Sequence, residues 1–230
     1  MNAIVILPTY NEKDNIERVV SGVQKSVAAD ILIIDDNSPD GTGEIAENIA
    51  KRNSSVSVMR RPAQLGLGNA YIAGFKRALQ KNYDTIIQMD SDLSHSPEDL
   101  PRLLEALGQN DLVIGSRYID GGSIEGWAFY RKYISSFGNI YARVILNSPI
   151  RDLTSGFKAW KRKVIESLDL DAIISDGYSF QIETTCLALK LGFKAAEVPI
   201  VFKDRAMGKS KLSKKIILEA IFTVWKLRLR

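Results

Sequence analysis

Short apolar, β-branched runs alternate with longer stretches of helical periodicity, and nothing else in this 230-residue sequence constrains the fold as tightly. AIVIL (3–7) precedes a helical pattern from about Lys13, DILII (30–34) one from about Thr42, and SVSVM (55–59) one from about Leu67. DTIIQM (84–89) then leads to a helix at Pro97, and DLVIG (111–115) follows. Unbroken apolar strands are buried on both faces, so the pattern predicts an α/β fold, a mostly parallel sheet with helices on both faces. In such a sheet, ligands bind beyond the carboxyl ends of the strands.

Four polar clusters fall at those ends: PTYNE (8–12), DDNSPDGT (35–42), DSDLSH (90–95) and GSRY (115–118). The second half is less regular. A Gly121–Gly122 turn opens a loop with Trp127, a helix is expected over 130–146, DLTSGFKAW (152–160) stays unassigned, a helix is expected over 179–191, and FKAAEVPIVF (193–202) reads as a strand.

With 45% hydrophobic and 25% charged residues and no low-complexity linker, the chain reads as one globular unit. Its single cysteine, Cys186, has no internal disulfide partner and reads as core; the start MNAIVILPTY shows no secretory pattern, and a cytoplasmic location is expected. The net charge of +4 points to anionic partners, with basic residues concentrated late, from Lys203 to Arg230. No nucleic-acid motif or aromatic-basic face accompanies them. Uncharged runs fall short of the roughly 20 apolar residues of a membrane span, so any membrane is met at its surface.

Asp90 and Asp92 are surplus to local folding. Ser96 suits a helix N-cap, Pro97 the first helical position and Asp99 the third, so the capping duty is already filled. Two carboxylates two positions apart at a strand end repel unless a cation joins them, and a hard divalent ion completed by substrate phosphates fits. Asp36, after the second strand, is the candidate for ribose hydroxyls, with Asp35 as its structural neighbour. Asn11 reads as a helix N-cap, leaving Tyr10 and Glu12 for a base or sugar. Gly66 and Gly68 follow the wrong strand for a dinucleotide fingerprint, so that segment reads as a loop entering a helix. His95 is the single histidine, which rules out a histidine-based metal cluster; it is a candidate ligand of the same ion but reads first as a loop histidine making ordinary hydrogen bonds.

PTYNE, IIDDNSPDGT (33–42), LGLGNAY (65–71), MDSDLSH (89–95), GSRY, DLTSGF (152–157), GYSFQIE (177–183) and EVPIVFKDRAMGKSKL (197–212) together resemble glycosyltransferase family 2, specifically its dolichyl-phosphate mannose synthase branch. The resemblance implies a GT-A fold with a Rossmann-like sheet. It further implies that Pro8, Tyr10, Glu12, Ile34 and Asp36 line a guanine and ribose pocket. Asp90 and Asp92, flanking the Ser91 backbone, would hold Mg²⁺ or Mn²⁺ against the donor diphosphate. Arg117, Arg205 and Lys211 would surround its phosphates, Asp92 and Arg117 being the catalytic pair. Ser94 stands where some relatives have a third metal contact.

The implied reaction is inverting transfer of mannose from GDP-mannose to dolichyl phosphate or another polyprenyl phosphate. A phosphate monoester is already anionic near neutral pH, so no base is required. Arg131 and Lys132 are candidates for the acceptor phosphate or, equally, the solvated start of a helix. Residues 1–211 would form the catalytic domain. Residues 212–230 would form a basic amphipathic helix that lies on the cytoplasmic face of a membrane, packs on its own domain or meets a membrane-anchoring subunit. Competing readings are a UDP-sugar donor and a non-catalytic nucleotide-sugar sensor. A nucleotidyltransferase would need a glycine-rich loop after the first strand, and PTYNE is not one.

Overall fold

The computed structural model describes residues 2–173, 175–204 and 214–229, with side chains of the last segment from 222 onward. Among these residues, seven strands form one sheet in the order β3-β2-β1-β4-β7-β5-β8. The expected alternation builds its first half: β1 (Ala3–Thr9), α1 (Ile16–Ser26), β2 (Asp30–Asp35), α2 (Thr42–Arg52), β3 (Val56–Arg60), α3 (Leu67–Gln80) and β4 (Thr85–Gln88). These four strands are parallel, and β1 lies between β2 and β4. The chain therefore reverses its winding direction at the β1/β4 junction, where an open α/β sheet leaves a crevice.

The remaining elements are α4 (Leu100–Leu107), β5 (Leu112–Ser116), β6 (Ser123–Glu125), α5 (Phe129–Leu146), β7 (Lys158–Lys161), α6 (Arg162–Ser167), α7 (Gly177–Lys190), β8 (Ala195–Pro199), β9 (Val201–Lys203) and α8 (Lys214–Leu229). Strand β7 runs antiparallel to both β4 and β5, β8 is parallel to β5, and β6 pairs with β9 in a separate ribbon. Two apolar layers result. Ile16, Val19, Val20 and Val23 of α1 pack with Leu100, Leu103 and Leu107 of α4 on one face, and α3, α6, α7 and α8 cover the other.

Several local expectations shift. Asn11 has φ 62° and does not cap α1, which begins at Ile16 after a turn in which the Asn15 N–H donates to the Glu12 carbonyl (3.0 Å). Pro97–Asp99 form a short 3₁₀ turn, Ser96 gives it no side-chain cap, and α4 starts at Leu100. The 193–202 strand divides at Ile200 into β8 and β9. Most of α7 is buried, consistent with Cys186 as core. Helix α8 buries Val224 and Leu227 and is held where Lys190 Nζ donates to the Leu227 carbonyl (2.6 Å). No described helix is long and apolar enough to cross a membrane. The expected boundary at 211/212 lies outside the described residues.

Candidate active site

The crevice at the β1/β4 junction gathers the polar clusters. Ser91 Oγ donates to the Pro8 carbonyl (2.6 Å), tying the loop after β4 to the end of β1. On the other side of β1, Asp36 N–H donates to the Thr9 carbonyl (3.1 Å). Asp35 is fully buried, accepts from the Ser38 hydroxyl (2.6 Å) and pairs with Arg60 (3.2 Å), the structural part foreseen for it. Glu12 accepts from Asn15 Nδ2 (2.7 Å), and its N–H donates to Thr42 Oγ1 (2.9 Å), so it is fixed at the mouth between β1 and β2 beside Tyr10.

Two residues of the expected nucleotide pocket behave differently. Ile34 points its side chain into the apolar layer against α3, where a Cβ on Gly74 would lie 2.9 Å from its Cδ1. Asp36 is engaged by Arg61 through Nε (2.5 Å) and Nη2 (2.6 Å), a bidentate pair that sequence reasoning missed. Arg61 follows β3, the strand next to β2, so parallel register was the signal that could have placed it.

The carboxylate pair is built with care. Leu93 adopts φ 63°, a left-handed conformation that costs a non-glycine residue about 1–2 kcal/mol. The turn brings the Ser94 N–H back onto Asp92 Oδ1 (3.0 Å). Tyr71 of α3, fully buried, donates its hydroxyl to Asp90 Oδ1 (3.2 Å), and burial together with Asp90 pushes its phenol well up. Gly156 lies against the same carboxylate, where a Cβ would approach Asp90 Oδ1 to 3.2 Å. His95 Nδ1 accepts from the Asp90 N–H (3.3 Å), and its ring stacks on Phe157 with centroids 5.0 Å apart. Burial lowers its basicity, outweighing the pull of Asp90 and Asp92, so it is a neutral buttress.

Asp90 is 28% exposed and Asp92 nearly buried, so the pair opens on one side. Among the described residues no group of three or more His, Cys, Asp or Glu side chains could hold a metal ion. A hard divalent cation completed by diphosphate oxygens fits these two carboxylates, and the buried, unpartnered Ser94 Oγ is a further oxygen nearby.

Arg117, at the end of β5, is locked into a buried ion pair with Asp152 through Nε and Nη2 (both 2.7 Å) and also donates to Thr154 Oγ1 (2.8 Å). Burial pushes the Asp152 carboxyl up, but the Arg117 guanidinium outweighs it and holds the group below the usual range. Glu197 of β8 accepts the N–H groups of Arg151 and Asp152 (both 2.9 Å). These contacts fix the 152–156 loop whose Gly156 abuts Asp90. Arg117, expected at the donor phosphates, is anchored by Asp152, and Glu197 holds the backbone on which Asp152 sits.

Phe202 of β9 gathers the rest. Arg117 Cζ sits 5.2 Å from its ring centroid, and the rings of His95 (5.3 Å) and Trp127 (5.5 Å) meet it edge-on. Arg131 stacks on Trp127 at 3.8 Å and pairs with Asp204 (3.1 Å). Lys132 is half-buried at the start of α5. A chain of contacts thus links Arg131 to Asp90. Arg205 and Lys211 lie outside the described residues.

The fold is that of the GT-A glycosyltransferases. Glucosyl-3-phosphoglycerate synthase from Mycobacterium tuberculosis, in complex with Mn²⁺, UDP and glucosyl-3-phosphoglycerate, superposes with TM-score 0.70 at 23% identity over 98% of this chain and 79% of that one. A mannosyltransferase from Pyrobaculum calidifontis in complex with GDP-Man and Mn²⁺ gives 0.62 at 16% identity over 99% and 73%. The family model "Glycosyl transferase family 2" matches residues 4–169. Undecaprenyl-phosphate mannosyltransferase of Micrococcus luteus is 44% identical over 97% of this chain and 93% of its own length. Polyprenol monophosphomannose synthase of Mycolicibacterium smegmatis is 44% identical over 98% and 87%. The chain belongs to glycosyltransferase family 2, in its polyprenyl-phosphate mannosyltransferase branch.

Proposed function

We propose that the enzyme transfers mannose from GDP-mannose to a polyprenyl phosphate such as dolichyl phosphate, with inversion and with the help of Mg²⁺ or Mn²⁺. The observation that carries this reading is the 44% identity, over nearly the whole chain, to enzymes named for mannose transfer to undecaprenyl phosphate and polyprenol. The crevice supports this donor: Tyr10, Glu12 and the Asp36–Arg61 pair would face the nucleoside, and Asp90 and Asp92 the diphosphate. The Pyrobaculum enzyme supports it, having been captured with GDP-Man and Mn²⁺ on the same fold.

Asp90 and Asp92 would hold the cation, which neutralises the departing diphosphate when bound. Tyr71 and Gly156 fix the direction of Asp90, and Ser94 N–H that of Asp92. An oxygen of the acceptor phosphate attacks C1 of mannose on the face opposite the diphosphate. The new C1–O bond forms as the old one breaks, giving GDP and inverted polyprenyl phosphate mannose. The acceptor is already ionised, so the chain's part is positioning and charge. Arg131, with Lys132 beside it, is the candidate to receive the acceptor phosphate, exchanging Asp204 for it. Arg117 acts through the 152–156 loop, and the roles of Arg205 and Lys211 at the donor phosphates are expectations from family resemblance. The enzyme would work at the cytoplasmic face of a membrane.

The test is transfer to dolichyl phosphate and undecaprenyl phosphate with Mn²⁺, comparing GDP-mannose with UDP-glucose and including a chelator. Chelator-sensitive lipid product from GDP-mannose alone is expected. Product from UDP-glucose, or nucleotide binding without lipid product, would overturn the donor or the acceptor respectively.

A further inference from the structure

Gly66 and Gly68, which form no dinucleotide fingerprint, close the start of α3 onto the start of α7. Asp176, the residue just before α7, accepts the Gly68 N–H through Oδ1 (2.6 Å) from 108 residues away in sequence. Gly68 is the second residue of α3, and the N-cap of that helix, Gly66, offers no side chain to bond it. Asp176 therefore caps α3 from a different element, satisfying one of the N–H groups that every helix start leaves without an intrahelical partner. Both glycines make room for this. Gly66 has φ 97°, and a Cβ there would collide with the Asp176 carboxylate; a Cβ on Gly68 would lie 2.7 Å from the Ser175 carbonyl oxygen. A side chain at either position would drive the two helix starts apart.

One turn further along α3 stands Tyr71, whose hydroxyl donates to Asp90 Oδ1 (3.2 Å). Its ring stacks on Phe180 of α7 with centroids 6.0 Å apart and planes 6° from parallel, and Phe75 stacks on the same Phe180 ring at 6.4 Å. Helix α7 thus grips α3 in two ways. The aromatic stack sets the spacing of the helices but tolerates sliding, because offset arrangements of stacked rings are all favourable. The bond from Gly68 to Asp176 is directional and resists sliding. A helix is stiff over one turn, so a displacement at Gly68 is delivered to Tyr71. The Tyr71 bond to Asp90 is already long for a hydroxyl donor, whose usual reach is about 2.7–2.8 Å, and a small slide of α3 away from the crevice breaks it.

We propose that Asp176 is a positioning residue for the cation site: by holding the start of α3 it keeps the Tyr71 hydroxyl on Asp90 and so fixes the direction of that carboxylate. This rests on the reading above that Asp90 holds a divalent cation. The route runs from Asp176 through Gly68 and Tyr71 to Asp90, and Asp176 acts along it rather than on the substrates. A second tether holds the same loop from the nucleoside side, where Arg61 Nη2 donates to the Gly66 carbonyl (3.0 Å) while the guanidinium grips Asp36. Removing the Asp176 side chain leaves the Arg61–Asp36 pair in place, so binding of a nucleotide without metal is spared.

The experiment measures Mn²⁺ binding to the full chain in the presence of GDP, from the paramagnetic resonance signal of free Mn²⁺ and with the uptake by GDP alone subtracted. It compares the native protein with Asp176→Ala, Asp176→Asn, Tyr71→Phe and the double variant Asp176→Ala/Tyr71→Phe. Complete loss of the Tyr71 bond sets a ceiling of about tenfold, so Asp176→Ala should raise the Mn²⁺ Kd by about three- to tenfold. Asp176→Asn keeps an acceptor oxygen for Gly68 and should stay within about twofold of native. The double variant should match Tyr71→Phe alone, because both changes act on one bond. GDP binding in the presence of a chelator should be the same in all of them. Native protein that takes up no Mn²⁺ would overturn the reading of Asp90 and this proposal together. Native Mn²⁺ binding that Asp176→Ala leaves unaltered while lowering the melting temperature overturns the positioning role alone and makes Asp176 a structural cap. Additive losses in the double variant overturn the route through Tyr71. If Asp176→Ala does not fold, Asp176→Gly carries the same comparison, since glycine is tolerated at the N-cap of α7 but offers Gly68 no acceptor.

Discussion

Lys158 should make the stability of this enzyme depend on pH in a way that one substitution removes. It sits on β7 in the middle of the sheet with no exposed surface, and Nζ donates to the Gln181 carbonyl and to Thr185 Oγ1 (both 2.8 Å). Burial drives its pKa down from 10.5 to about 7, with Asp152 offsetting only part of the effect. The unfolded chain binds this proton below 10.5, whereas the native state does not until about 7. Between those values the unfolded state holds one more proton, so stability rises with pH across the window and is lost as pH falls toward 7. At about 1.4 kcal/mol per unit, the full window amounts to about 5 kcal/mol, and the interval from pH 7 to 9 to about 2–3 kcal/mol. Lys158→Met keeps most of the stem and removes the charge, so this part of the pH dependence should vanish. Urea unfolding followed by tryptophan fluorescence at pH 7 and pH 9 measures it, and other titrating groups cancel in the difference between the proteins. Parallel pH dependence in the two proteins would refute the argument that the amine is neutralised by burial.

Two further outcomes test the carboxylate site. Asp92→Ala should abolish metal-dependent transfer while leaving the melting temperature close to native; near-normal turnover would remove Asp92 from the site. Tyr71→Phe takes away one hydroxyl that bonds a carboxylate, an interaction worth roughly 1.5 kcal/mol, so the Mn²⁺ concentration for half-maximal activity should rise about tenfold. Thermal melting should fall by about 3–6 °C, and an unaltered Mn²⁺ requirement would show that the hydroxyl does not orient Asp90.

What the sequence made legible was whatever a strand and the loop after it encode locally. The apolar runs ending at PTYNE and DSDLSH are self-contained signals: they placed both clusters at strand ends, and the strand order that joins them at one crevice came from the structure. What escaped depends on partners distant in sequence. Lys158 disguised β7, because a lysine rarely occupies the interior of a sheet and only its bonds to Gln181 and Thr185 make it tolerable there. The Arg117–Asp152 pair was not legible, because Asp152, 35 residues later, carries no local mark of being its partner. Arg61 was passed over for the same reason: its relation to Asp36 exists only once β2 and β3 lie side by side.

The antiparallel strand β7 also sets a timetable for synthesis. Among the described strands β4 and β5 are not neighbours; β7 lies between them and joins the first four strands of the sheet to β5 and β8. A nascent chain that has cleared the ribosome through β5 can assemble β1 to β4 with their helices. It must nevertheless hold the five apolar and small residues of β5, Leu112–Ser116, without a strand partner until Lys158–Lys161 emerge. The interval between these segments, which includes the exposed face of α5, is the stretch in which a growing chain is most open to chaperones and to premature association.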